Sequence, residues 1–467
     1  MAVDPGLAFA SVQTLAAELR RGAVTSVELT EFFLDRCEQI GPKFNAVTTV
    51  LRDDALADAV TQDERLKAGE DLGPLHGIPC GVKDLLATKG HPTSWGAAPY
   101  RDRVIDADAA VVTRLRKTGA VLIAKLAMVE IAGGLGYQQA NASFTGPGLN
   151  PWDASRWSGG SSTGPGSAVA AGLVPFAIGS ETWGSIMSPA CYCGLSGLRP
   201  TYGRVSRRGA MALSWTMDKL GPMCHTADDC GLVLNAIAGP DPDDPTAAER
   251  DYSYPDANEP GSPFRIATIK GSADRVQEGV AANYRAALDV LGDYCEFGEI
   301  ELPDLPYNDA ADLILSCEAA AAFEDIVRSG EIQEMTAEED RWRMYSDLAT
   351  PAKDYINALR VRGKIQQALD KLLKPFDAVV TPTLVAVAGP IDRPFREWAQ
   401  GFTSTDIGGA GNVAGIPAIT VPSGFGEGGL PTGVQFVGRA FDENRLIAIA
   451  REYQQRTDWH TRHPEVV

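Results

Sequence analysis

The sequence predicts an α/β fold: a mixed central β-sheet flanked by α-helices, with a helical cap region over 300–375. Three observations lead there. Short apolar runs bounded by Gly and Pro alternate with stretches of helical periodicity, the pattern of βαβ units. At 467 residues the chain exceeds the ~250–300 at which one hydrophobic core stops growing, so it forms two lobes or one large elaborated domain. Hydrophobic residues at 44% and charged residues at 22% are those of an ordinary globular protein, and neither an internal repeat nor a heptad run is present.

Residues 9–40 read as two amphipathic helices, the first capped by Ser11 and the second introduced by Thr25-Ser26, with Gly22 as the stop between them. Leu29, Phe32 and Phe33 recur at helical spacing. "HGIPCGVKD" (76–84) is a buried strand that ends in Lys83. "DADAAVVTRLRKTGAVLIAKL" (106–126) is a helix, a stop at Gly119, and a strand from Ala120 to Ala124. From 158 to 209 the chain is rich in Gly and Ser, yet "SAVAAGLV" (167–174) has helical composition and "FAIGS" (176–180) reads as a strand. The glycines are therefore turn and close-packing positions, not linker. The Pro/Asp-rich stretch 238–263 is a surface loop and a candidate sub-domain boundary. "FRIATIKG" (264–271) restarts as a strand, and 308–374 is largely helical. "FDAVVTPTLV" (376–385), "NVAGIPAITVPSGF" and "PTGVQFVGR" supply further strands before the closing helix "ENRLIAIAREYQQRT".

The net charge of −19 argues against binding nucleic acid or an anionic membrane surface. The eight cysteines form no dense framework and sit in apolar company, which points to reduced thiols and a cytoplasmic location. No signal peptide is expected at the N-terminus, and the longest apolar run, near "SAVAAGLVPFAIG", is too short and interrupted to span a bilayer. The spacing of Cys191 and Cys193 is wrong for a zinc site, and His91, His225, His460 and His463 have no mutual spacing for one, so they read as surface or capping residues; no metal or cofactor is expected.

The chemistry centres on "GSETWGSIMSP" (179–189). Ser185 follows Trp183 and Gly184, with no histidine nearby to take its proton. A tight turn at Gly184 aims the backbone N–H groups of Thr182, Trp183, Gly184 and Ser185 at one point, a nest that can hold the oxyanion of a tetrahedral intermediate. The missing base is found upstream. Lys83 lies in an apolar run whose one acidic neighbour, Asp84, points to the opposite face of a strand. A buried lysine without a partner loses its charge readily and becomes a competent base near neutral pH. "SGGSSTGPGSA" (158–168) offers hydroxyls to relay the proton. A phosphate cradle is excluded in detail, because no lysine follows the glycines as a P-loop requires.

These stretches, with "GPLHGIPCGVKD" (73–84), "GAVLIAKLAMVE" (119–130), "NPWD" (150–153), "DKLGPM" (218–223) and "FDAVVTPT" (376–383), recur in the family's order, and the chain resembles the amidase signature family over nearly its whole length. The resemblance implies a single domain over 1–467 with a catalytic core segment at 73–230. It assigns Lys83 as base, Ser161 as the relay serine on a cis peptide bond, and Ser185 as nucleophile. Ser162 is then a supporting neighbour, and Asp218 and Arg199 support the site from behind.

The sequence departs from the family at two informative places. Trp183 stands where the oxyanion turn usually has glycine. Met187 stands where the A chains of glutamyl-tRNA amidotransferases usually carry the arginine that serves glutamine, and a thioether cannot pair a carboxylate. Together with the small residues Ala132, Gly133 and Gly134, these side chains point to an uncharged apolar or aryl group beside the carbonyl. The expected substrate is a small linear amide or carbamate, and the expected assembly a monomer or homodimer. The alternatives are a component of a glutamine-dependent amidotransferase and a non-catalytic binding member of the family.

Overall fold

The computed structural model describes residues 3–133, 137–256, 261, 263–403 and 406–466. Eleven strands form one mixed sheet: β1 (Val47–Val50), β2 (Pro79–Lys83), β3 (Val121–Leu126), β6 (Phe176–Glu181), β7 (Ser196–Arg199), β8 (Lys219–Cys224), β9 (Phe264–Ile269), β10 (Cys295–Ile300), β11 (Ala378–Pro382), β12 (Ala418–Phe425) and β13 (Pro431–Val437). The intervening β4 (Leu149–Asn150) and β5 (Asp153–Trp157) make a separate two-stranded hairpin. The order across the large sheet is β1-β3-β2-β6-β8-β7-β12-β13-β11-β9-β10. The strands β2, β3 and β6 run parallel, as do β9, β10 and β11, while β8, β7, β12 and β13 between them pair antiparallel.

Local chemistry explains the helices at the N-terminus. Ser11 accepts the Thr14 N–H to start the helix Val12–Arg20. Thr25 and Glu28 form a reciprocal capping box that starts the helix Ser26–Gln39. The central strands carry no polar alternation because helices cover both faces: β2, β3, β6 and β8 are buried at every position. Between 307 and 373 the chain is largely helical, with Tyr307–Ala322 and Ala352–Leu373 the two long members.

Three expectations need correction. The helix over the Gly-rich segment spans Thr163–Ala170, four residues earlier than its composition indicated, because Gly172 takes φ +63° and stops it, while Gly164 and Gly166 are accommodated within it by close packing on Ala127 and Pro189. The 238–263 stretch is not simply a surface loop: Asp241 and Asp244 are buried and accept from the Ser206 hydroxyl, and Asp244 also accepts the Arg207 N–H. His225 is buried, not a surface group; it lies edge-on to Phe9, on which His463 stacks. Among the described residues no helix is long and apolar enough to cross a membrane. All eight cysteines are unpaired, seven of them buried.

Candidate active site

Parallel pairing explains why residues a hundred positions apart meet. Gly81 and Val82 of β2 lie opposite Ala177 and Ile178 of β6, so the C-terminal ends of both strands open onto the same edge of the sheet, where ligands bind in open α/β folds. Lys83 ends β2, and Ser180 and Glu181 end β6. The strand β8 runs back alongside β6 with Lys219 opposite Glu181.

Lys83 is fully buried. Its Nζ contacts Ser161 Oγ at 2.8 Å, Ser180 Oγ at 2.9 Å and Ser162 Oγ at 3.1 Å. Burial lowers its pKa to about 7, against the pull of the Asp218 and Glu181 carboxylates. Asp84, in the turn just after β2, is engaged elsewhere: it pairs with buried Lys125 at 2.9 Å and accepts the Ser94 N–H at 3.1 Å, so it does not neutralise Lys83. Ser161 follows a cis Gly160–Ser161 peptide bond. Gly159, at φ +85°, approaches the Pro189 backbone so closely that a Cβ would lie 2.7 Å from it.

Ser185 sits at the turn after β6. Gly184 takes φ +85°, a conformation glycine adopts without penalty, and the helix Met187–Cys193 follows. The turn is pinned from behind. Glu181, fully buried, accepts the N–H groups of Ile186 (2.8 Å) and Met187 (3.0 Å) on one oxygen; on the other it accepts Arg199 (2.9 Å) and Asn412 (3.0 Å). Burial opposes its charge, but Arg199, Lys219 and these donors overcome that and bring its pKa down to about 2. Thr182 Oγ1 donates to Asp218 at 2.5 Å. The Ser162 N–H donates to the Ser185 carbonyl at 3.3 Å, tying the two serine loops together.

Two cavities flank this turn. One of about 260 Å³ is lined by Ser185, Thr182, Ala132, Gly133 and, from the helical region, Asp312, Leu315 and Arg343. The other, about 370 Å³, is lined by Met187, Tyr137, Trp157 and Gln435, with the Glu181–Arg199 pair at its base. Trp183, Gly160 and Tyr137 border both. Trp183 therefore forms pocket wall, and its half-buried side chain also packs against the main core. Ala132 and Gly133 line the first cavity beside Ser185, and Met187 lines the second, on the far side of Trp183; Gly134 lies outside the described residues.

Sequence reasoning did not single out Ser180, Lys219, Asn412 or Arg343. Ser180 and Glu181 are the polar end of an otherwise apolar strand, and Lys219 opens the apolar run "KLGPMC", the same signal that marked Lys83. Arg343 gave none, because it reaches the cavity only through the packing of the helical region. It is held there by Asp312 at 2.9 Å.

The family model named Amidase matches residues 28–447. The A chain of glutamyl-tRNA(Gln) amidotransferase from Roseiflexus sp. (strain RS-1) is 38% identical over 96% of each chain. Among solved structures, the native peptide amidase from Stenotrophomonas maltophilia is 30% identical over 98% of each chain, with a TM-score of 0.85. The A chain of glutamyl-tRNA(Gln) amidotransferase from Thermotoga maritima is 27% identical over the full length of both chains, with a TM-score of 0.81. With a match across its length and a lysine–serine cluster beside Ser185, the chain belongs to the amidase signature family, enzymes that act on C–N amide bonds.

Proposed function

We propose that this protein hydrolyses the C–N bond of linear amides or carbamates that carry an uncharged aryl or apolar arm, through an acyl-enzyme on Ser185. The observation that carries the reading is the 2.8 Å contact between Ser161 and a fully buried lysine whose pKa falls to about 7.

The hydrogen bonds around Lys83 support a proton path through Ser161. A neutral lysine has two N–H donors and one lone pair. Ser162 commits its own hydrogen to the Ser180 carbonyl at 3.2 Å, so toward Lys83 it accepts. The lone pair is left for Ser161 or Ser180, and of these only Ser161 adjoins Gly160, which lines both cavities. Ser185 attacks the carbonyl carbon as its proton passes to Ser161 and the Ser161 proton passes to Lys83. The N–H groups of residues 182–185 hold the oxyanion, each well-placed donor contributing ~3–4 kcal/mol. The lysinium returns its proton through Ser161 to the leaving nitrogen, the C–N bond breaks, and amine departs. Water then attacks the acyl-enzyme by the same relay, releasing the acid, or for a carbamate the carbonic acid monoester, which loses carbon dioxide to leave the alcohol.

The two cavities accept a group on each side of the scissile carbonyl, which favours N-substituted amides and carbamates over primary amides. Trp183, Met187, Tyr137 and Trp157 offer aromatic and apolar contact to an aryl arm.

A second reading is favoured by the relatives' names: the Roseiflexus relative is the A chain of an amidotransferase, at higher identity than the peptide amidase. On that reading the chain takes glutamine and passes ammonia to a partner protein. The cavity side chains favour the first reading. Met187 offers no cation, and the two arginines that line the cavities each already face a carboxylate, Arg199 Nη1 with Glu181 and Arg343 with Asp312, while Arg199 Nη2 has no hydrogen-bond partner among the described residues.

A panel of p-nitroanilides, aryl carbamates and glutamine, run on the isolated chain with a serine-directed fluorophosphonate as active-site label, tests the choice. Turnover of the aryl substrates with label on Ser185 supports hydrolysis. Glutaminase activity that exceeds turnover of every aryl substrate, or a second chain required for activity, supports the amidotransferase. No label on Ser185 removes both.

A further inference from the structure

Asp218, just before β8, and Lys219, its first residue, hold Thr182 by its hydroxyl and its carbonyl. Asp218 Oδ1 accepts the Thr182 hydroxyl, and its Oδ2 accepts the N–H groups of Leu213 (2.8 Å) and Ser214 (3.0 Å). Lys219 Nζ donates to the Thr182 carbonyl at 3.4 Å and to Asn412 Oδ1 at 3.0 Å. Asn412 donates in turn to Glu181, which also takes Arg199. These side chains form a buried lattice directly behind the Ser185 turn.

Lys219 is a costly residue to keep there. It is fully buried, and burial, together with the neighbouring Arg199 charge, lowers its pKa to about 7 in spite of Glu181 and Asp218. A methionine of similar length would fill the space without that cost. What methionine cannot do is donate a hydrogen bond. The Thr182–Trp183 peptide is trans, so its C=O and N–H point in opposite directions. A donor that fixes the Thr182 carbonyl toward the Lys219 amine therefore turns the Trp183 N–H away from that amine, and both Thr182 and Trp183 border the Ser185 cavity. The same contact polarises the peptide and strengthens that N–H as a donor.

We infer that Lys219 is a positioning residue for the oxyanion site: it aims the Trp183 N–H at the developing oxyanion by holding the Thr182 carbonyl. The inference rests on the reading of Ser185 as the acylated nucleophile. It also explains how bulky Trp183 is accommodated at an oxyanion turn, since the backbone is fixed from behind while the indole forms cavity wall.

The test compares Lys219→Met, which keeps volume and removes the donor, with Lys219→Gln, which keeps a shorter donor. Lys219→Met is expected to lower kcat by ~10–100-fold, somewhat less than removal of an oxyanion donor itself. KM is expected to stay within about twofold, because the contact matters only when charge develops. The affinity of a substrate-derived boronate, which forms a tetrahedral adduct with serine, should fall by the same factor as kcat, and the affinity of the matching carboxylic acid product should not change. Lys219→Gln should recover part of the loss. Unchanged kcat in Lys219→Met, equal loss of boronate and product affinity, or equal activity of the two variants overturns the inference. Should Lys219→Met fail to fold, Lys219→Gln decides: kcat equal to wild type with unaltered boronate affinity overturns the role, and a matched fall in both supports it. Failure of wild type to label at Ser185 removes the underlying catalytic reading instead, and is read separately.

Discussion

Replacing Lys83 with methionine separates what the lysine does for catalysis from what its burial does to the fold. The ordinary lysine pKa of 10.5 falls to about 7 in the folded chain. That gap corresponds to roughly 5 kcal/mol of folding free energy forgone when the unfolded chain holds the proton. The sign follows from linkage. The folded pKa lies below the unfolded one, so between pH 7 and 10.5 the unfolded chain binds more protons, and wild-type stability rises with pH across that window. The penalty is full below pH 7 and vanishes above 10.5. Lys83→Met abolishes it but leaves the hydroxyls of Ser161, Ser162 and Ser180 without their shared partner, which offsets part of the gain. The variant should therefore be at least as stable as wild type at pH 7. Its advantage should shrink by about 2 kcal/mol between pH 7 and pH 9 as wild type gains. Because Lys219 is present in both proteins, its own titration cancels from the difference. Urea unfolding of both proteins at the two pH values measures this, alongside turnover, which should fall on the order of a thousandfold or more. A stability difference constant to within about 0.5 kcal/mol over that interval would mean that Lys83 stays charged when folded, and the reasoning would fail.

Other consequences are open to direct measurement. In wild type, kcat/KM should fall on the acid side through about pH 7, as Lys83 takes a proton and ceases to be a base; a profile flat from pH 5.5 to 8.5 contradicts this. Ser161→Ala should lower kcat by on the order of a hundredfold or more while circular dichroism and Tm stay near wild type, since it removes the proposed relay to Lys83. Asp84→Ala strands Lys125 in the interior and should cost about 3–5 kcal/mol, read as a large drop in Tm; a shift of under a degree would show the pair to be dispensable.

What could be read from the sequence divides along physical lines. Local chemistry was legible: Ser11, Thr25 and Glu28 start the first helices as their side chains dictate, and the apolar runs ending in Lys83 and Glu181 are buried strands. Lys83 could be recognised because an isolated cation in an apolar run has few uses; Asp84 was expected to face away by strand alternation, and it is engaged elsewhere instead because it sits in the turn after β2 and pairs with Lys125. Long-range register was not legible from periodicity. That β2 and β6 are parallel neighbours, and that β8 returns Lys219 opposite Glu181, follows from sheet order, which no local pattern encodes. Ser180 and Asn412 were missed for this reason: each acquires its contact only once distant elements pack. His225 was misread because spacing along the chain said nothing of Phe9 and His463, which arrive from opposite termini.

The central claim is a proton path from Ser185 to a neutral amine. The pH dependence of fluorophosphonate labelling at Ser185, located by peptide mass mapping in wild type and in Lys83→Met, addresses it most directly. In wild type the labelling rate should climb through about pH 7 and then level off, and in Lys83→Met it should be slow and independent of pH between 6 and 9. Persistence of the same pH-dependent rise in Lys83→Met, or a label on any residue other than Ser185, would contradict it.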